Sequence, residues 1–111
     1  MNGLEDAKKL LVEIFSESGR EFKGGEWHAD YKLNWDEEYT ARLLPLMESL
    51  SRAAEAKERG DRLMLLVALS RSCVGFMDMH DFFYDLNDDF KRLVLDEAMK
   101  WPEIPEDYKY D

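Results

Sequence analysis

The chain has few of the residues that hold small proteins together covalently or through metal. One cysteine, Cys73, stands among 111 residues. It permits no intramolecular disulfide, and a reducing, cytoplasmic compartment is expected. Two histidines, His28 and His80, are too few and too undirected to frame a zinc site. No phosphate-binding glycine loop, dinucleotide fingerprint or nucleophile elbow is present, and Gly24-Gly25 reads as a turn. The apolar run Leu10–Phe15 is short, carries Glu13 and lacks a small-residue cleavage site, so neither a signal peptide nor a membrane span is expected. With Asn2 near the start and Tyr-Asp at the end, none of the common lipidation signals is expected.

Positive charge is scarce as well. Fifteen Lys and Arg face 25 Asp and Glu, a formal net charge of −10. Residues 1–75 hold 14 acids against 11 bases, while residues 76–111 hold 11 against 4. The C-terminal third therefore carries −7 of the total. Such a potential repels phosphate backbones and attracts basic protein surfaces, so the expected partner is a basic protein and not nucleic acid.

What is present describes a helical domain. Hydrophobic residues make up 45% and charged residues 36%, a globular composition at single-domain length. We expect an all-α fold, a compact four-helix bundle over residues 1–101, followed by an acidic tail, 102–111. The first helix is expected over Leu4–Ser18, opened by a capping box of Asn2 and Glu5 and closed by Gly19. From Trp27 to Trp35 apolar side chains fall at every second position, which predicts an extended segment across the bundle or a short hairpin with Arg20–Lys23. The second helix, Trp35–Arg59, is capped by Asn34 and kinked or split at Pro45. Its outer face carries the pairs Glu38/Arg42, Glu48/Arg52 and Glu55/Arg59 in favourable i,i+4 order. Gly60-Asp61 ends it and caps a third helix, Arg62 to about Leu86. The opening turns of that third helix, Leu63–Leu69, are apolar all round, which predicts a central, enclosed element or a subunit contact. A fourth helix is expected from Asp88 to Lys100, capped by Asn87 and stopped by Pro102 and Pro105.

The stretch Asp78-Met-His-Asp-Phe-Phe-Tyr-Asp-Leu-Asn-Asp-Asp-Phe90 concentrates acids on one helix. Asp78, Asp81 and Asp85 share a narrow arc, and His80 points to the apolar side with Cys73, Phe76 and Tyr84, which predicts a core histidine and an inert thiol. Like charges near a helix C-terminus need relief. A break at Gly75, cover by basic residues of another element, or a bound cation would each provide it. A cation would need Asp36 or Glu38 from the second helix beside Asp78, Asp81 and Asp85. A calcium loop beginning at Asp85 is excluded, because Phe90 stands where glycine is required.

The function expected is a non-enzymatic protein-binding module without a cofactor, presenting Asp78, Asp81, Asp85, Trp101, Tyr108 and Tyr110 to a basic partner. Two alternatives accompany it. One is a metal-dependent hydrolase of a phosphorylated small molecule that uses the helix-borne carboxylates. The other is a structural homo-oligomer paired through residues 62–86.

Overall fold

A computed structural model describes residues 2–110. Among them are three α-helices, α1 (Leu4–Ser16), α2 (Trp35–Arg59) and α3 (Arg62–Val94), with single 3-10 turns at Gly24–Glu26 and Glu97–Met99 and no strand. The all-α expectation holds. The fourth helix does not form.

The reason lies in what the acids at its expected start are doing. Asn87 is exposed in mid-helix. Asp88 lies 2.9 Å from the His28 ring, and Asp89 bonds the 28–31 loop, so neither is free to help open a new helix. The apolar spacing Phe82, Leu86, Leu93 runs on with all three buried, and α3 continues for two more turns. Asp96 then accepts the Ala98 amide, and Lys100 takes a left-handed conformation just before Trp101-Pro102.

Helix α1 also starts differently from expectation. No side chain of its own caps it. Asp36, in the first turn of α2, accepts the amides of Leu4 (2.7 Å) and Glu5 (3.2 Å). Glu5 in turn accepts the amide of Trp35 at 2.9 Å. The two helix N-termini thus cap each other, each placing a carboxylate on the other's free donors. Gly3 is required by this arrangement, since a Cβ there would sit 2.7 Å from an Asp36 oxygen.

Between α1 and α2 the alternation survives without a strand. Trp27, Ala29 and Trp35 are buried and Tyr31 half-buried, while Leu33 is exposed. Phe15, Phe22, Trp27, Tyr31 and Trp35 form a chain of tilted and edge-to-face rings. With Leu11, Phe82, Leu86 and Leu93 they make a core confined to one end of the molecule.

From that core α2 and α3 project as a hairpin. Asn34 caps α2 by accepting the Glu37 amide, Gly60 turns left-handed, and Asp61 caps α3 by accepting the Met64 amide, as the sequence predicts. Helix α2 runs unbroken through Pro45, which faces outward. The inner positions of α3 recur at alternating steps of three and four: Leu65, Ala68, Ser72, Gly75, Met79, Phe82, Leu86. All are buried or half-buried, the pattern of a coiled-coil seam. Away from the core the seam narrows to small residues: Ala53 and Ala56 of α2 and Ala68 and Ser72 of α3 are all buried. Gly75 allows the closest approach, since a Cβ there would lie 3.1 Å from Leu46. On the outer face of α2, Arg42 and Arg52 meet Glu38 and Glu48 at 2.8 Å each, whereas Arg59 turns to Asp61.

The molecule is therefore long. It measures 59 × 37 × 22 Å with a radius of gyration of 19.5 Å, against about 13 Å for a compact chain of this length. The opening turns of α3, expected to be enclosed, are instead exposed at Leu63 and Leu66. Small seam residues bring the two helices together and leave the large ones outside.

Candidate functional site

Asp78, Asp81 and Asp85 do lie together, along a shallow cleft of about 270 Å³ shared with Glu38, Arg42 and Trp35. Arg42 relieves Asp78, the one acid of the stripe that it meets within ion-pair distance. Its Nη1 donates to the Glu38 carboxylate at 2.8 Å and to the Glu38 carbonyl at 3.1 Å. Its Nε lies 3.6 Å from Asp78, and its guanidinium rests 4.8 Å from the centre of the Phe82 ring. Basic cover from α2 thus reaches Asp78, while Asp81 has His80 beside it, and α3 does not break at Gly75.

The carboxylates proposed to join the stripe are committed elsewhere. Asp36 caps α1, and Glu38 holds Arg42. Among the described residues, no three of His, Cys, Asp and Glu gather where a metal ion would sit. His80 is exposed, 3.4 Å from Asp81 and beside Tyr84, and Cys73 is exposed too. Neither belongs to a core, contrary to the wheel. The reason is that α3 buries its small-residue face against α2, and not the face bearing Phe76 and Tyr84.

The aromatic tail is separate from the stripe. Trp101 donates its indole N–H to the Leu93 carbonyl at 3.0 Å, which fixes it at the far end of α3, roughly 18 Å along the axis from Asp81. Tyr108 and Tyr110 are exposed, and the tail makes one turn, where the Tyr108 amide donates to the Pro105 carbonyl.

One important carboxylate was not anticipated. Asp89 is 1% exposed and accepts the amides of His28 and Ala29 at 2.9 Å each and the Tyr31 hydroxyl at 2.8 Å. Burial, reinforced by this bond and by the Asp89 charge, pushes the Tyr31 phenol well above its ordinary range. Arg92 closes the site by stacking on Trp27 and donating to the Glu26 carbonyl. The signal was legible: an acid stands at a seam position, between Leu86 and Leu93. Its role is to pin the 27–31 loop to α3.

The largest unexplained feature is the outer side of the hairpin. On α3, Leu66, Leu69, Cys73, Phe76, His80 and Phe83 repeat the same alternating three–four spacing, and every one is exposed. Leu66 stands at 62%, Leu69 at 45%, Phe76 at 55% and Phe83 at 41%. This is a second seam that none of the described residues covers. Arg71, Asp78 and Asp85 lie about half a turn away from it on the helix, and Arg71 and Asp78 line with Pro45 and Arg52 a groove of about 800 Å³ on that other flank. Met47 is also exposed and Leu43 and Leu50 are half-buried on α2. The most apolar 18-residue stretch of α3 has a mean hydropathy of 1.3 and is only 11% buried. By length and composition alone it would suffice to cross a membrane, but α2 packed along it carries charge on nearly every turn. Comparisons with protein-family models, with curated proteins and with solved structures find no match.

Proposed function

We propose that this chain is a non-enzymatic protein-binding module whose working surface is the outer side of the α2–α3 hairpin. The observation that carries the reading is the second heptad-spaced seam on α3, exposed at every position from Leu66 to Phe83. Contiguous apolar surface on this scale marks a face that another protein covers. The acid stripe, and separately the acidic Trp101–Tyr110 tail, offer polar surfaces suited to a basic partner, with association faster at low salt. The reading is favoured over a metal-dependent hydrolase because the carboxylates of α2 that such a site would borrow are tied to α1 and to Arg42. A cytoplasmic setting belongs to the same proposal, since an exposed lone thiol suits a reducing compartment.

Hydroxyl-radical footprinting tests it. Met47, Phe76 and Phe83 should be protected either in the purified chain or in native lysate, relative to the exposed tail residue Tyr110. Free labelling of all three in both settings would refute the reading.

A further inference from the structure

The occupant of the outer seam is the question left by that reading, on which the following rests. We propose that it is a second copy of this chain, packed antiparallel about a two-fold axis that crosses the outer seam midway between Cys73 and Phe76, so that two hairpins make one four-helix bundle.

Three observations support this. The first is area. The chain exposes 8684 Å², whereas a compact monomer of 13.1 kDa exposes about 6,400 Å². The excess, part of it in the tail, is of the size that one subunit buries in an obligate dimer, about 1,000–2,500 Å².

The second is self-complementarity. Turned about that axis, the seam meets itself residue for residue. Leu66 stands opposite Phe83 of the partner subunit, Leu69 opposite the partner's His80, and Cys73 opposite the partner's Phe76. A two-fold interface requires this reciprocity. The seam and the neighbouring row Leu63, Ser70, Met77, Tyr84 contain no Asp, Glu, Lys or Arg, as the centre of a dimer interface should.

The third is direction. Residues 76–111 carry a net −7 in each copy. A parallel pair would bring these acidic ends, and the bulk of α1 with its loop, side by side. The antiparallel pair sends them to opposite ends of the assembly.

The test uses the full chain. Light scattering after size exclusion at about 100 μM should give twice the chain mass. Phe76→Asp and, separately, Leu69→Glu should give the monomer mass with the helical circular dichroism kept, both sites being exposed in the single chain. Under mild oxidation, Phe76→Cys should cross-link through Cys73 into a covalent dimer, while the parent chain should not, because two Cys73 residues lie offset in this register. A monomer at that concentration overturns the proposal, as does ready cross-linking of the parent chain, which would indicate a parallel pair. Footprinting protection that appears only in lysate, or only with added phosphatidylcholine–phosphatidylglycerol vesicles, also overturns it. The protein-binding reading survives the lysate case and the parallel pair; absence of protection anywhere removes both.

Discussion

A carboxylate that is 1% exposed persists only if its oxygens are bonded, and Asp89 satisfies the rule with two backbone amides and a phenol. Asp89→Ala would strand those three donors, so it should cost about 3 kcal/mol in urea unfolding, and Tyr31→Phe about 1 kcal/mol. A loss below about 0.5 kcal/mol for Asp89→Ala would show that the loop is held some other way. Two further carboxyls link stability to acid. Burial alone would raise Glu5, but the bonds from Lys8 and the Trp35 amide outweigh it and hold the group below its ordinary 4.5. The Arg20 guanidinium holds Asp96 below 3.8. Both groups bind protons less readily folded than unfolded, so their contribution is complete above about pH 4.5 and is lost as pH falls through the folded values. Melting temperatures taken downward from about pH 6 should fall below that point, and less steeply in the Glu5→Gln/Asp96→Asn variant.

At the scale of elements, what the sequence reveals depends on how local the cause is. The caps at Asn34 and Asp61 and the turn at Gly60 are written within four residues of where they act, and they appear as read. The start of α1 is not, because its cap is Asp36, 32 residues on from Leu4, and no local pattern announces it. The break expected at Asn87 fails for a similar reason: Asp88 and Asp89 look like helix-starting acids, but their partners come from the loop at 28–31. The acid stripe was legible from the wheel, and the approach of Arg42 to Asp78 was foreseen only as a type of relief. Two predictions belong here. Asp36→Ala removes the shared cap and should cost about 1–2 kcal/mol. Gly75→Leu places a side chain where even a Cβ would approach Leu46 at 3.1 Å, and overpacking there should cost about 2 kcal/mol. Leucine is a good helix former, so the loss cannot be ascribed to propensity. Leu46→Ala combined with Gly75→Leu should cost less than the two changes added separately, since each relieves the other.

At the scale of the whole molecule, periodicity gave the positions of the apolar residues but not which row faces inward. On α3 two rows share the same spacing, and the row of smaller residues is the one that α2 covers. A hairpin closed on Ala53, Ala56, Ala68 and Ser72 buries little surface for its length, since hydrophobic stabilisation scales with apolar area removed from water. The end near Gly60 should therefore borrow its stability from the covering copy, whereas the end near Trp35 has its own aromatic core. Two consequences follow for the intact chain. Its melting temperature should rise with protein concentration, because association favours only the folded form. In the Phe76→Asp variant that dependence should vanish, and amide exchange should become uneven: fast over residues 50–72 and slow over α1 and residues 82–93. Uniform exchange along the variant's hairpin would mean that the small-residue seam is sufficient by itself, and the exposed row would then need a different explanation.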